Sequence, residues 1–166
     1  MNGRLHVTLS ALAGFVVIGL WFMVVPGLFT VDTNERLDFG LRWVAVLQIP
    51  MIAMILWISQ QRFWSSDHAD GSPPETGNSL EINRRVLTNT VEQTVLATVG
   101  LLVLSVAASA DASNYVPALA LLFVLGRFSF WLGYHINPFW RAFGLVLTLA
   151  PTLAVYFYVY VYVLGA

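Results

Sequence analysis

Arg85, Asn89 and Glu92 stand at i, i+4 and i+7 within "RRVLTNTVEQTVLATVGLLVL", which runs from Arg84 to Leu104. On a helix that spacing puts the three on one face, with Thr88 and Gln93 flanking it. A second set, Arg127, Phe130 or Trp131, Tyr134 and Arg141, follows a similar stripe. Together the stripes offer several arginine forks, one carboxylate and one amide. Guanidinium forks match carboxylates in bidentate geometry, and a buried carboxylate matches an ammonium. A small zwitterion with more than one carboxylate suits such a set. Blander roles use the same residues. Arg84 and Arg141, near helix ends, can snorkel to lipid headgroups. Arg127 and Glu92 can form a structural pair that locks two helices. His68 and His135 have no second ligand at metal spacing and read as loop or interfacial residues.

The elements that must position these residues are membrane helices. Of the 166 residues 58% are hydrophobic and only 10% charged, with a mean hydropathy of +0.74. A soluble domain carries about 25% charged residues. A spanning helix needs roughly 20 mostly apolar residues, and five stretches qualify: 7–29, 41–61, 82–109, 116–135 and 141–164. Pro50 marks a kink inside the second, Arg127 interrupts the fourth, and Asn137-Pro138 marks a break after it. The tract "VYFYVYVYV" alternates with period 2, but a lone strand cannot satisfy its backbone in lipid, so it reads as helix. The first stretch is too long for a secretion signal's apolar region and no A-x-A-like site follows it, so it reads as a retained helix. The linker 62–80, "RFWSSDHADGSPPETGNSL", is rich in Gly, Pro, Ser and Asp and reads as a solvated loop.

Five spans put the termini on opposite sides. Arg4, Arg62, Arg84, Arg85 and Arg141 then fall on the N-terminal side, and Arg36 and Arg42 on the other with Asp32, Glu35, Asp38 and Asp111. That bias sets the N-terminus and the 62–80 loop in the cytoplasm, across the inner membrane if the source is bacterial. The third helix then starts at the edge where the fourth ends, so the two polar stripes share one depth. Glu92 and Arg127 lie roughly two turns inside their spans, where ionisable residues usually face a cavity or a partner. The net charge of −1 leaves no polybasic surface for nucleic acid or acidic lipid. The chain has no cysteine, which excludes disulfides, thiolate metal sites and a cysteine nucleophile. Any thiol chemistry must take its thiol from a small molecule.

"RVLTNTVE", Arg85 to Glu92, resembles the R-x-x-x-N-x-x-E signature of the MAPEG superfamily, the membrane-associated proteins in eicosanoid and glutathione metabolism. "GRFSFWLGYHINPFWRAFG", Gly126 to Gly144, resembles that family's other signature, with Arg127, Gly133-Tyr134 and Arg141 in register. "WISQQRFW" is similar to the basic end of the helix before the first signature and places Arg62 there. The resemblance covers about 41–164. It implies an all-α membrane bundle, with a four-helix MAPEG-like domain over 41–166. Residues 1–40 would then be an extra N-terminal helix and its connecting loop. That added helix, together with "WRAFGLVLTLAPTLA", looks more like the mattrin-like branch. The resemblance further implies a homotrimer that binds glutathione between protomers near the cytoplasmic side. Arg85, Asn89, Glu92, Arg127 and Tyr134 would hold its charged ends, with Glu92 on the ammonium. Arg62 would reach in from a neighbouring chain, and Arg141 would stand beside the sulfur. Phe130 stands where several members have tyrosine, so a hydroxyl contact would be missing. The implied activity is a glutathione-dependent transferase or peroxidase acting on lipophilic electrophiles or lipid hydroperoxides. The competing expectation is a non-catalytic membrane protein of the same fold that binds a lipid or a partner protein. A small transporter ranks last, because paired broken helices and repeats are missing.

Overall fold

The computed structural model describes residues 3–30, 35–65, 74, 77–107, 109–163 and 165. His68 and Asp32 lie outside the described residues, as does most of the 62–80 linker. Among these described residues seven α-helices follow one another: α1 Gly3–Val24, α2 Arg36–Leu47, α3 Ile49–Phe63, α4 Ser79–Ala107, α5 Ala110–Ser113, α6 Tyr115–Ile136 and α7 Arg141–Tyr158. A 3-10 turn, Pro26–Leu28, extends α1, and a π turn, Val159–Val163, extends α7. They make five segments long and apolar enough to cross a membrane: Gly3–Leu28, Arg36–Phe63, Ser79–Ala107, Asp111–Ile136 and Arg141–Tyr162. The tyrosine-rich tract is helical, and no strand occurs among the described residues. The fold is an all-α membrane bundle.

Proline explains the interruption of the second span. Pro50 has no N–H to donate to Val46, so the ladder parts at Gln48, between α2 and α3. The Gln48 side chain covers the gap, donating to the Val44 carbonyl at 3.3 Å and to Thr98 Oγ1 at 3.2 Å. At the end of α6 the expected break is present: Asn137 is extended (φ −158°, ψ 122°) and α7 begins at Arg141.

Two glycines fix the α6–α7 crossing, and through it the depth of Arg127. A Cβ on Gly144 would lie 2.3 Å from the Phe130 backbone nitrogen and 2.4 Å from the Gly126 carbonyl oxygen. A Cβ on Gly126 would lie 2.7 Å from Thr148 Cγ2. In lipid, helices associate by such close packing rather than by hydrophobic drive. The approach seats Arg127, the residue after Gly126, between α4 and α7.

The start of α4 is fastened by its own residues. Asn78 Oδ1 accepts from the Leu80 N–H at 3.1 Å, and Glu81 Oε2 accepts from the Gly77 N–H at 2.6 Å. Gly77 has φ +86°, a conformation that favours glycine. By contrast α1 leans on α7 and α6 with Gly14 as its one buried residue. Trp21 Nε1 donates to the Ala118 carbonyl at 2.9 Å and pins it to α6.

Candidate functional site

The start of α4 and the end of α6 meet at one edge of the bundle, as the span count requires. Arg127 is the centre of the polar contacts. It is 0% exposed, in a helix set among apolar neighbours. Its Nη2 donates to Asn89 Oδ1 at 3.0 Å and its Nη1 to Thr148 Oγ1 at 3.4 Å. Its Nε is buried without a partner among the described residues. Arg127 therefore has no pairing with Glu92: both its hydrogen-bond partners are neutral. Its Cζ stands 4.3 Å over the Phe130 ring.

From there a ladder of rings runs toward α7. Phe130 and Tyr134 meet edge to face with centroids 5.5 Å apart. The Arg141 guanidinium caps the far end, 4.8 Å over the Tyr134 ring, and its Nη1 donates to the Tyr134 hydroxyl. Asn89, Arg127, Phe130, Tyr134 and Arg141 thus form one continuous chain of contacts. Arg127 is closed in at its deep end, while Arg141 is exposed at the other. Pro138 leaves Arg141 able to fold back on Tyr134.

The other expected residues lie around this ladder. Arg85 is exposed and pairs with Glu81, one turn back on α4, rather than with Asn89. Glu92 is exposed on the same face, with no hydrogen bond or ion pair among the described residues. Arg62 is half-buried near the end of α3, and its side chain likewise has no such partner among them. The structure thus joins Asn89 to Arg127 and Tyr134 to Arg141. It leaves Arg85 and Glu92 exposed and Arg62 half-buried, outside the ladder.

Chemically, a guanidinium held only by neutral groups keeps its full charge. In a low-dielectric interior its field reaches farther than it would in water. Asn89, polarised by Arg127, and the exposed Arg141 offer two positively biased points joined by aromatic rings. An anion finds complementary partners there.

Sequence reading passed over Asn83. It is 1% exposed and sits on the buried stripe of α4 with Leu80, Val86, Thr90, Ala97, Leu101 and Leu104. Its Oδ1 accepts from Trp131 Nε1 at 2.7 Å and lies 2.8 Å from His135 Nε2. Its Nδ2 donates to Gln61 Oε1 at 2.7 Å. The signal was available: counting the apolar period of α4 backward from Leu104 lands on Asn83. A polar residue in a buried register must find partners.

Residues 41–161 match the MAPEG family. That span runs from within α2 through α7 and leaves α1 outside. No curated protein and no solved structure matches the chain.

Proposed function

The chain belongs to the MAPEG family, and from that premise we propose that it is a glutathione-dependent membrane transferase or peroxidase acting on lipophilic electrophiles or lipid hydroperoxides. The observation that carries this reading is the ladder from Asn89 through Arg127, Phe130 and Tyr134 to Arg141. It leaves an uncompensated positive bias at one membrane edge, and glutathione is an anion with two carboxylates, an ammonium and a thiol.

In this reading Arg85 and Asn89 meet the carboxylates and Glu92 meets the ammonium. Arg127 acts through Asn89 as a positioning residue. Tyr134 borders the guest beside Arg141. Arg62 contributes from a neighbouring protomer of a homotrimer, toward which the outward-turned face of α4 is directed. Arg141 stabilises the thiolate. A free thiol titrates near pH 8.5, and its anion is the nucleophile. Lowering that pKa by about two units takes roughly 2.7 kcal/mol, within reach of one close, partly desolvated guanidinium. The proton leaves to water. The sulfur then bonds to the electrophilic carbon of a molecule arriving from the bilayer, and the leaving group departs with the bonding electrons. The arginine bias sets this edge in the cytoplasm.

The test is the ultraviolet difference absorbance of bound thiolate when glutathione is added to the purified protein. A difference band that is lost in Arg141→Ala and partly kept in Arg141→Lys supports the assignment. A band that Arg141→Ala leaves intact refutes it. A second reading is a non-catalytic member that binds a lipid or a partner protein. It has one observation in its favour: Arg127 is enclosed by Asn89, Thr148 and Phe130 and offers no open fork. Calorimetry that detects no glutathione affinity would favour it.

A further inference from the structure

A second site lies about 100° around α6 from the ladder, since each residue turns the helix by about that angle. It is a groove of about 660 Å³ between α3, α4 and α6. That volume falls within the range of about 300–1,000 Å³ usual for small-molecule pockets. Its lining is sorted by depth. Gln61, Ser79, Asn83 and His135 line the end at the bundle edge. Ser79 is the first residue of α4, His135 the last but one of α6, and Gln61 the third from the end of α3. Trp57, Phe128, Trp131 and Leu132 line the deeper part. Leu132 is 61% exposed and Trp57 48%, so the groove opens sideways. A polar end at the membrane edge with an apolar end toward the midplane is the layout of an amphiphile in a bilayer.

The head this site accepts follows from charge and hydrogen bonding. Among the described residues the lining holds no arginine, lysine, aspartate or glutamate, so those residues match neither an anion nor a cation. Trp131 Nε1 can only donate, which fixes Oδ1 as the Asn83 atom that it meets. His135 Nε2 contacts that same oxygen and must therefore carry a hydrogen. In the neutral ring Nδ1 is then a bare acceptor, with no partner among the described residues. Gln61 is committed through Oε1 to Asn83 and through one N–H to Ser79 Oγ at 3.3 Å. Its second N–H has no partner among the described residues. A hydroxyl has the complement of each, a donor for His135 Nδ1 and an acceptor for Gln61.

We propose that this groove binds a single-chain lipid with a neutral hydroxyl head. The site goes beyond the glutathione reading and stands without it. The test uses the full chain in phosphatidylcholine nanodiscs and dibrominated octadecanol, whose bromines quench nearby tryptophan. Saturable quenching is expected, and Trp57→Phe should remove a large part of it. The methyl ether of the same alcohol, which cannot donate, should bind about fivefold more weakly, the effect of one neutral hydrogen bond. His135→Phe should bring the alcohol down to the level of the ether and leave the ether unchanged. That last comparison separates a head contact from mere support of Asn83. The proposal is overturned if alcohol, ether and dibrominated stearic acid quench alike, or if His135→Phe weakens all three equally. It is also overturned if saturable quenching is absent, and a Leu132→Cys crosslink between two copies would then show that a neighbouring chain fills the groove.

Discussion

The last turns of α6 present two sides that share a plan and differ in charge. On one side Asn89 of α4 meets a cation, Arg127, and aromatic rings carry the contact on to a second cation, Arg141. On the other, Asn83 of α4 meets two ring N–H groups, those of Trp131 and His135. Each side pairs an asparagine of one helix with aromatic residues of another. The difference lies in what stands behind. Behind Arg127 the glycine-based crossing brings α7 close enough for Thr148 to take a second hydrogen bond. Among the described residues no helix closes over the groove beside Trp131, and no charged side chain lines it. A charge is kept where α4, α6 and α7 converge to satisfy it, and left out where the groove between α3, α4 and α6 opens sideways and would strand it in lipid.

The harshest way to break this comparison is to remove the crossing itself. Gly144→Val places atoms where the Phe130 and Gly126 backbones already stand. Backbone has no flexible end to yield, so the cost should exceed about 3 kcal/mol, the upper end of usual overpacking penalties. Helical unfolding followed in detergent by circular dichroism should show a greatly lowered midpoint, and both sides of α6 should lose binding together. Retention of either one would mean that the two sides do not share α7 as a foundation.

A narrower break touches only the charged side. Asn89→Ala leaves the buried Arg127 with one neutral partner, at an expected cost of about 1.5–3 kcal/mol, the range for hydrogen bonds to charged groups. Adding Arg127→Met removes the stranded charge, so the double variant should recover much of that stability. Thermal unfolding of the two single variants and the double one checks this. Groove binding should stay within about twofold throughout, because the shift in free energy there is below about 0.5 kcal/mol for sites that share no partner. Double-variant stability no better than that of Asn89→Ala would show that Arg127 is not the strained member.

How far these two sides were legible in sequence differs for physical reasons. The five spans were legible because apolar length is a one-dimensional property; their bounds differ from expectation by a few residues. The kink at Pro50 was legible because the missing donor is written in the residue. Arg127 as an intramembrane charge was legible too, but not its partner. Glu92 and Asn89 occupy the same face of α4, and the choice between them depends on how α6 rolls on α7 at Gly126 and Gly144. Arg85 illustrates a local ambiguity. Glu81 at i−4 and Asn89 at i+4 are equally near on a helix, and the carboxylate wins because it brings an opposite charge to the guanidinium, which the amide does not. Asn83 was missed because attention fell on charges, whereas its role comes from lying in the apolar register.

A milder change sharpens the charged side without disturbing the fold. Tyr134→Phe keeps the ring under Arg141 and removes the hydroxyl that accepts from its Nη1. Stability should change by no more than about 1.5 kcal/mol, as for a single hydrogen bond. In the glutathione reading, the freed guanidinium either moves toward the sulfur or loses its orientation. The thiolate band should therefore change in strength, while alcohol quenching in the neighbouring groove stays put. A band unchanged in both size and pH midpoint would detach Tyr134 from the site.

The smallest expected effect bears on the outer edge of the comparison. Glu81→Gln removes the carboxylate that holds Arg85 and also accepts from the Gly77 N–H at the start of α4. The Arg85 side chain is 61% exposed and that of Glu81 20%, so the ion pair itself contributes at most about 1 kcal/mol. Glutamine can still accept from the Gly77 N–H, so the helix start should persist. What changes is the freedom of Arg85. If it serves a guest carboxylate, releasing it from Glu81 should tighten glutathione binding by a few-fold in calorimetry, and the gain should shrink as salt rises, because the contact is exposed. If Arg85 only anchors α4 at the headgroups, affinity should not move. The variant thus tests whether the stripe Arg85, Asn89 and Glu92 works as one face, or whether the charged side ends at Asn89.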